Sequence, residues 1–552
     1  MDEENQMESP FPEGSFYKDG IYYSKWPTEP IPTDPYLDLT TYALDVDPSF
    51  IDRVALVDAP TGESMTFREM KHKVYAVASG LADVGVKQGD VVMILSLNGL
   101  HSPIIMFAIL AIGAVVTATN PASLISEIAK QAKDSGTKFV MSSPDLVEKV
   151  AGLKLPIILI DTMVGTDGPE QVKGITPIGY LSEIYKGDPS RAPKVRIRQR
   201  DTAMLLYSSG TTGVSKGVIL SHRNVIAAAA CRDPGDVPDN HRTFLAAIPL
   251  YHVMGMIIIC VIRLKYGCKL VIAPKFDFPK FLEAIERYRI SHLPVVPPIL
   301  LALVKSPLAD KYDLSSVQFM GSGAAPLGKE LMALTAKKFK GVNLGEGYGM
   351  TETCGLGAYV PSVASSTIPF GSVGFLAPHM HAMIVDLYSG KPLPPNEKGE
   401  LWLRGPTIME GYLNNEKATA ETLDKDGWLH TGDIARIDDN GCFFIVDRLK
   451  ELIKYNGLQV APAELEAILI SHPEIEDGAV AGFPDEQTGQ IPVAFVVRRS
   501  TSLSEDDVMS FVAKQVASYK KVRKVIFVQS IPKSAAGKIL RKELTTLPVS
   551  KL

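Results

Sequence analysis

A stretch rich in glycine and hydroxyl groups, SSGTTGVSK at residues 208–216, follows the apolar run LLY. Its glycines let the backbone bend so that N–H groups converge on an anion, and Lys216 adds a mobile positive charge. We therefore predict a phosphate-binding loop at the end of a strand. It is not a Walker A motif, because Gly217 follows the lysine where that motif has serine or threonine. A polar loop without a ligand is the simpler alternative, since loops of this composition are common.

Four further stretches carry polar residues suited to nucleotide chemistry. They are EGYGMTE (346–352), GELWLRG (399–405), TGD (431–433) with DRLKELIKYNG (447–457), and AAGKILR (535–541). Together with SSGTTG, in this order and spacing, they resemble the adenylate-forming superfamily of acyl-CoA synthetases, firefly luciferases and peptide-synthetase adenylation domains. The resemblance covers nearly the whole chain from about residue 30 and is strongest to plant 4-coumarate–CoA ligases and their peroxisomal relatives. It implies that a carboxylate attacks the α-phosphate of ATP, and that the CoA thiolate then displaces AMP from the acyl-adenylate.

The resemblance also implies a nucleotide site. Asp433 would accept hydrogen bonds from both ribose hydroxyls, Thr351 would bond the α-phosphate, and Glu352 would hold Mg²⁺, which prefers oxygen ligands. Position 346 is glutamate where plant ligases usually have glutamine. The implied ATP- and AMP-binding residues are Ser208, Ser209, Gly210, Thr211, Thr212, Lys216, Glu346, Gly347, Tyr348, Thr351, Asp433, Arg448 and Lys538.

Two lysines near the end of the chain are implied to act in different steps. Lys538 would reach the carboxylate and α-phosphate during adenylation, where its charge offsets the charge that develops in the transition state. Lys450 would be the hinge about which a small domain rotates before CoA reacts. The implied catalytic residues are Lys538, His252, Thr351, Lys454 and Gln459, and the implied contacts of the co-substrate CoA are Lys275, Asn456 and Gly457. A solvated surface lysine is the ordinary alternative for Lys538 and for Lys275.

The acyl pocket departs from that of the hydroxycinnamate ligases. Met254 stands where those enzymes commonly have tyrosine, Ile258 replaces a small polar residue, and Leu356 with Gly357 replaces a bulky pair. We therefore expect a less polar and deeper pocket, which favours cinnamate-type or extended phenylpropanoid acids; fatty or jasmonate-precursor acids are the alternative. The implied acyl-binding residues are Tyr251, Met254, Ile258, Ala324, Tyr359, Lys450 and Lys454.

Strand-like and helix-like runs alternate through most of the chain, which favours a parallel α/β architecture. After about residue 400 the pattern changes to short strands with turn signals, and Ser504 followed by three acidic residues predicts a helix start. We therefore expect an α/β fold with a large multi-subdomain N-terminal domain, 1–448, of parallel sheets with flanking helices plus a β-rich part. A small mobile α+β C-terminal domain, 449–552, would follow.

The composition narrows the class of protein. The 552 residues are 46% hydrophobic and 22% charged, which excludes a disordered chain, and the net charge of −5 gives no general attraction to nucleic acid. The five cysteines form no C-x-x-C pair and are expected to be buried thiols in a reducing compartment. Two long apolar runs are interrupted by Gly113 and Pro249, so we expect no membrane span.

The ends of the sequence bear on location. The first ten residues, MDEENQMESP, are acidic and do not resemble a signal peptide. Ser550, Lys551 and Leu552 form the tripeptide S-K-L, which a peroxisomal import receptor recognises at a chain terminus. We therefore expect a peroxisomal protein.

Two other functions are compatible with parts of the sequence. A luciferase-like monooxygenase would share the adenylation step, and a luciferin-plus-ATP light assay would separate it from a ligase. A catalytically inactive nucleotide-binding protein would be expected to have lost Lys538, Thr351 or Asp433, and all three are present.

Overall fold

The structure is a computed structural model that describes residues 16–26, 29–161, 175–208, 215–231, 242–362, 365–456, 458–485, 487–534 and 537–546. Within these ranges the chain has a mixed α/β fold with a separate C-terminal domain. The alternation of strand and helix patterns predicted this class, and the structure confirms it.

Two large sheets with mainly parallel strands form the centre of the molecule. The eight-stranded sheet runs, in spatial order, Gly411–Tyr412, Lys216–Ser221, Thr202–Ser208, Val115–Ala118, Val91–Leu95, Thr137–Ser142, Ile157–Leu159 and Gly179–Tyr180. The nine-stranded sheet runs Phe375–Leu376, Ala358–Tyr359, Asn343–Tyr348, Phe319–Ser322, His292–Val295, Thr243–Ala246, Lys269–Ile272, Val54–Asp58 and Ser64–Thr66. The carboxyl ends of parallel strands meet at one edge, which is where ligands bind in such sheets.

Two smaller sheets complete the molecule. The antiparallel six-stranded sheet contains Tyr17–Lys18, Ile21–Tyr23, His381–Val385, Gly399–Arg404, Leu429–Ile437 and Phe443–Arg448. The C-terminal domain is built on Leu458–Val460, Ile453–Tyr455, Gly489–Arg498, Ile475–Asp485 and Lys524–Phe527.

Helices cover the faces of these sheets. Their bounds are Leu39–Leu44, Phe67–Asp83, His101–Ala111, Ile125–Asp134, Glu148–Ala151, Leu181–Ile184, His222–Ala230, Met254–Arg263, Phe278–Tyr288, Pro297–Lys305, Lys329–Lys338, Glu416–Thr422, Pro462–Ser471, Glu505–Ala513 and Arg541–Thr546. Short 3₁₀ turns lie at Pro48–Phe50, Pro189–Arg191, Pro307–Lys311, Thr351–Thr353 and Ser518–Lys520. Ser504 caps the helix Glu505–Ala513 by accepting from the N–H of Asp507, as its sequence predicts.

The two long apolar runs are both interrupted, for the expected reasons. The helix His101–Ala111 ends before Gly113, whose φ is +70°, and the strand Val115–Ala118 follows. In the second run, the strand Thr243–Ala246 ends before Pro249, and the helix Met254–Arg263 follows. A Cβ at Gly255 would lie 2.1 Å from the carbonyl oxygen of Pro249, so this close approach requires glycine. Among the residues described, no helix combines the length and apolarity needed to cross a bilayer.

All five cysteines are buried, as expected. Burial raises the pKa of Cys231 and of Cys260 to about 12. These thiols are therefore protonated and unreactive at physiological pH.

Candidate active site

A cavity of about 660 Å³ lies where the nine-stranded sheet, the six-stranded sheet and the C-terminal domain meet. The carboxyl ends of Phe319–Ser322 and Asn343–Tyr348 form its base. Ser208 and Lys216, which flank the glycine-rich stretch, line another side. The cavity therefore joins segments that are far apart in the sequence.

Asp433 is held at one end of the cavity by two neighbours. The Tyr348 hydroxyl donates to Asp433 Oδ2 at 2.6 Å, and Arg448 Nε lies 3.5 Å from Asp433 Oδ1. Asp433 and Arg448 are directly paired across the strands Leu429–Ile437 and Phe443–Arg448. Burial raises the pKa of Asp433, and the positive charge of Arg448 opposes that shift. The carboxylate can accept a pair of hydroxyl groups in fixed orientation.

Thr351 and Glu352 lie in the cavity wall on a 3₁₀ turn that follows the strand Asn343–Tyr348. The Tyr412 hydroxyl donates to Glu352 Oε1 at 2.8 Å, and Lys216 Nζ lies 4.5 Å from the centre of the Tyr412 ring. Glu352 is buried, so its carboxylate is fixed beside the threonine. One carboxylate in a nucleotide cavity fits Mg²⁺, which is bound by one or two carboxylates together with substrate phosphates.

Glu346 is a buried carboxyl group with one unsatisfied oxygen. Its Oε1 accepts from the N–H of Leu327 at 3.0 Å, whereas Oε2 has no hydrogen-bond partner among the described residues. Burial raises the pKa of Glu346 to about 8. The side chain is therefore largely protonated at neutral pH and can donate as well as accept.

Lys538 enters the cavity from the C-terminal domain. Burial lowers its pKa, as does the nearby charge of Arg448. The preceding Gly537 has φ +77°, and a Cβ there would lie 3.0 Å from Pro298 Cδ and 3.2 Å from Val296 Cβ. The turn that carries Lys538 is therefore seated directly on the N-terminal domain.

The C-terminal domain is also attached further from the cavity. Lys305 Nζ donates to the carbonyl oxygens of Ile470 and Ile475. The helix Lys329–Lys338 packs on the helix Pro462–Ser471. These contacts fix the domain in the orientation that keeps Lys538 inside.

The residues implied for the CoA step are not brought to the cavity. Lys454, Asn456 and Gln459 are exposed on the hairpin of Ile453–Tyr455 and Leu458–Val460, and none of them lines the cavity. Lys275 is exposed and also lies outside its wall. Lys450 lines the cavity although it is an exposed residue.

Most of the implied acyl residues lie together. His252, Met254, Ile258, Ala324 and Tyr359 all line the cavity. Burial lowers the pKa of His252, so its imidazole is neutral at physiological pH. The nucleotide motif residues Gly347 and Tyr348 are part of the same wall.

Two residues near this pocket have positions that differ from the sequence expectation. Tyr251 does not line the cavity. Gly357 faces the Tyr348 ring instead of the acyl pocket: a Cβ at that position would lie 3.1 Å from Tyr348 Cδ1. Its neighbour Leu356 does line the cavity.

Several residues implied by the sequence lie outside the described ranges. These are Ser209, Gly210, Thr211 and Thr212 of the glycine-rich stretch, Gly457 of the hairpin, and the terminal Ser550, Lys551 and Leu552.

The structure adds a far end of the cavity that sequence reasoning missed. It is formed by Phe244, Arg263, His292 and Phe319. Gly321 and Gly345 make room for the Phe319 ring, because a Cβ on either would lie within 2.9 Å of its edge. Each of these glycines lies inside a buried strand pattern. They were the sequence signal that could have indicated this part of the cavity, since glycine within a strand often marks a close approach.

Family models match both parts of the chain. An "AMP-binding enzyme" model matches residues 47–413, and an "AMP-binding enzyme C-terminal domain" model matches residues 464–538. The first match alone covers more than half of the chain.

The chain is also similar to individual proteins over nearly its full length. A probable CoA ligase of Humulus lupulus is 45% identical, with 100% of both chains covered. The peroxisomal OPC-8:0-CoA ligase 1 of Arabidopsis thaliana is also 45% identical, with 96% of both chains covered. Among solved structures, ATP-bound MatB from Rhodopseudomonas palustris has a TM-score of 0.82 at 26% identity, covering 92% of this chain and 98% of that one.

Proposed function

Because the chain belongs to the AMP-binding enzyme family and is an AMP-forming acyl-CoA synthetase, we propose that its substrate is an extended, largely apolar carboxylic acid. The first candidate is an aromatic acid of the cinnamate or extended phenylpropanoid type. The observation that carries the proposal is the size of the cavity, about 660 Å³, whose wall includes Phe319 as well as His252, Met254 and Ile258. A pocket of this shape buries most of a long apolar ligand.

The rings at the far end favour an aromatic acid. The His292 ring centre lies 4.8 Å from that of Phe244 and 5.9 Å from that of Phe319. Such distances are typical of aromatic packing, so a further ring could join this group. The size of the cavity and the similarity of the chain to an OPC-8:0-CoA ligase support a fatty or jasmonate-precursor acid as the second candidate.

In the adenylation step, Lys538 stabilises the charge on the reacting carboxylate and α-phosphate, because a fixed cation is most effective where charge develops. Asp433 holds the ribose, Thr351 donates to the α-phosphate, and neutral His252 orients the acyl carboxylate. Glu352 would hold Mg²⁺ beside the phosphates of ATP, where the ion would neutralise phosphate charge. Lys538 lines the same cavity as Arg448 and Asp433 and is close enough for both charges to influence its pKa, which supports this assignment.

In the CoA step, the C-terminal domain rotates about Lys450. The rotation moves Lys538 out of the cavity and brings in the hairpin that carries Lys454, Asn456 and Gln459. The exposure of that hairpin, outside the cavity, supports a rotation before CoA reacts. Lys275 and Gly457 would add contacts to CoA.

We propose that the protein works in peroxisomes, reached through an import receptor that binds Ser550-Lys551-Leu552. The tripeptide and the peroxisomal relative support this location. A fluorescent fusion ending in the native tail should enter peroxisomes, and the same fusion lacking Leu552 should stay in the cytosol with its ligase activity intact. Import of the truncated fusion would place the address elsewhere.

A panel of acids tests the substrate proposal. AMP release with ATP and CoA should be measured for cinnamates, extended aromatic acids and fatty acids of about C6–C18. We expect the highest kcat/KM for an extended acid and a value for p-coumarate at least about tenfold lower. A panel in which p-coumarate or the shortest acids rank first would overturn the proposal.

A further inference from the structure

The helix Pro462–Ser471 of the C-terminal domain, here called the docking helix, has no end caps of its own. Within the described segment 458–485, its N-cap residue is Ala461, which has no side-chain acceptor, and its last turn contains no basic residue. The acidic residue of its first turn, Glu464, is paired with Lys520 at 2.6 Å. The backbone N–H groups at one end of the helix and the carbonyl groups at the other therefore need partners from elsewhere.

A carboxyl group from outside the C-terminal domain caps the beginning of the docking helix. Asp447 lies in the strand Phe443–Arg448 of the six-stranded sheet, three residues before Lys450. Its Oδ2 accepts from the N–H of Ala463, the second residue of the helix, at 3.0 Å. Its Oδ1 accepts from the N–H of Arg448 at 2.7 Å, which fixes the orientation of the carboxyl group. Asp447 is buried, so water does not compete for these bonds.

A lysine of the N-terminal domain supplies the partner at the other end of the docking helix. Lys305 is the last residue of the helix Pro297–Lys305. Its Nζ donates to the carbonyl oxygen of Ile470 at 3.3 Å and to that of Ile475, the first residue of the next strand. Ile470 is in the last turn, where carbonyl groups have no partner inside a helix. A cation at this end also complements the helix dipole.

The middle of the docking helix lies directly on the N-terminal domain. A Cβ at Gly328 would lie 2.7 Å from Ala467 Cβ, so the glycine permits the close approach. Gly328 precedes the helix Lys329–Lys338, which packs on the docking helix. The docking helix is thus held at both ends and in its middle by residues that precede Lys450 in the chain.

The helix that ends at Lys305 also supports the turn that carries Lys538. Its other end lies against Gly537, where a Cβ would be 3.0 Å from Pro298 Cδ. The nine residues Pro297–Lys305 span about 13 Å as one rigid helix. One element of the N-terminal domain therefore contacts the C-terminal domain at Lys538 and at the end of the docking helix.

We propose that Asp447 and Lys305 are positioning residues for adenylation. By capping the two ends of the docking helix from outside the C-terminal domain, they hold this domain in the orientation that keeps Lys538 in the cavity. Neither residue lines the cavity itself. Both caps break when the domain rotates, so their strength sets how the enzyme divides its time between adenylation and the CoA step. This inference rests on the proposed rotation about Lys450, because a domain that stayed fixed would have nothing to release.

Separate assays of the two half-reactions test the role of Lys305. Lys305→Met removes the donor at the end of the docking helix, so acid-dependent exchange between pyrophosphate and ATP should fall at least about fivefold. Thioester formation from pre-made acyl-adenylate should stay the same or rise. Lys305→Arg keeps the donors and should retain both rates. Lys338→Met is the matched control, because Lys338 donates to the Val304 carbonyl and pairs with Asp310 inside the N-terminal domain.

A substituted cap separates positioning from helix stability at Asp447. Asp447→Ala should change the half-reactions in the same direction as Lys305→Met, but it also removes the cap of the helix. Adding Ala461→Ser in the same protein gives the docking helix a hydroxyl cap of its own. This second change restores the helix end without restoring the connection across Lys450. We therefore expect the melting temperature to recover and adenylation to stay low.

The orientation of the domain can be measured without turnover. Because the native cysteines are buried, dyes can be attached to Glu397→Cys and Lys514→Cys, which introduce thiols at exposed positions before and after Lys450. Single-molecule energy transfer in the ATP complex should show one main population. Lys305→Met should increase a second population, and Lys338→Met should not.

The possible failures can be told apart. If folded Lys305→Met keeps the wild-type rate of adenylation, or loses both half-reactions equally, the inference is wrong. It is also wrong if Ala461→Ser restores adenylation in Asp447→Ala, since the cap would then be structural only. Should Asp447→Ala not fold, Lys305→Met alone decides. If energy transfer in the wild-type enzyme stays constant through both half-reactions, the proposed rotation is wrong and the inference falls with it.

Discussion

Glu346 lines the cavity, and burying its carboxyl group costs the folded protein stability. Its carboxyl group is buried in the cavity wall, and one of its two oxygens has no partner among the described residues. Plant ligases usually have glutamine here, which would keep a hydrogen-bonding group without a titratable proton. The glutamate therefore makes the stability of the protein depend on pH.

Replacing Glu346 with glutamine should remove that dependence. The folded protein keeps this proton up to a pKa of about 8, whereas an exposed glutamate loses it near 4.5. The folded state thus binds more protons between these values, and the free energy of unfolding falls as pH rises, by at most about 1.4 kcal/mol per pH unit. Melting temperatures should be measured at pH 5, 6, 7 and 8. The melting temperature of Glu346→Gln relative to that of the wild type should increase as pH rises. The exposed Glu397→Gln is the control, and equal curves for all three proteins would contradict the assignment.

The size of the side chain at position 258 should determine how long an acid the acyl pocket accepts. Ile258→Phe adds volume to the middle of the cavity wall, so it should lower kcat/KM for the longest accepted acid by about 10- to 100-fold, equivalent to about 1–3 kcal/mol, and spare cinnamate. Gly357→Ala is the contrasting variant, because its new methyl group would press on the Tyr348 ring. It should raise the KM for ATP and leave the order of acids unchanged. A changed order of acids in Gly357→Ala would place residue 357 in the acyl pocket after all.

At the level of elements, the sequence predicts strands and helices whose patterns follow ordinary periods. Buried runs such as KLVI and the capped helix after Ser504 were predictable because apolar alternation and a hydroxyl cap act locally. The motifs also led to Lys538, Asp433 and Met254. Arg263 could not be found in this way, because Met254–Arg263 is a π-helix, and a reader who assumes 3.6 residues per turn places Arg263 on the face opposite Met254. His292 was missed because its neighbours come from other strands and a helix.

The turn at Gly537 should control the docking of Lys538. Its φ of +77° disfavours a side chain, and a Cβ there would press on Pro298 at 3.0 Å and on Val296 at 3.2 Å. Gly537→Ala should therefore reduce acid-dependent exchange between pyrophosphate and ATP by at least about tenfold, since misplacing a reacting group slightly has a large effect on rate. It should spare the reaction of CoA with a pre-made acyl-adenylate.

A second glycine provides the control for this turn. Gly341 has φ +84°, and a Cβ there would have no neighbour within 4 Å, so Gly341→Ala adds the same backbone strain without the contact. Both variants should lose similar stability, but only Gly537→Ala should lose adenylation. Equal kinetic losses would show that strain, not docking, is responsible.

On the scale of the whole molecule, the structure holds the C-terminal domain in one orientation, which is the one that we propose for adenylation. Lys538 is inside the cavity, and the hairpin with Lys454 is outside it. Lys305 and the helix Lys329–Lys338 attach the domain at its other end. The proposed rotation would break these contacts before the CoA step, so we expect the two half-reactions to be separable by mutation.

Two substitutions should separate the half-reactions. Lys538→Ala removes the charge that stabilises the adenylation transition state, so pyrophosphate exchange should fall by about 100-fold or more while thioester formation from pre-made acyl-adenylate is largely kept. Lys450→Pro fixes φ at the proposed hinge and should have the opposite effect. Single-turnover assays of each half-reaction provide the measurement. If both folded variants lose both steps equally, rotation about Lys450 does not divide the roles.

The burial of every cysteine matters in a protein whose co-substrate is itself a thiol. Cys231 lies in the wall of the cavity where a reactive acyl-adenylate would form, yet its sulfur is protonated and donates to the carbonyl oxygen of Pro378 at 3.0 Å. The Cys231 thiol is therefore a poor competitor for the activated acyl group. The same burial gives the folded protein almost no reactivity toward thiol-specific dyes. We therefore expect the dye to report the consumption of CoA continuously, with little signal from the folded protein. Unfolding should expose all five cysteines and add five equivalents of dye-reactive thiol.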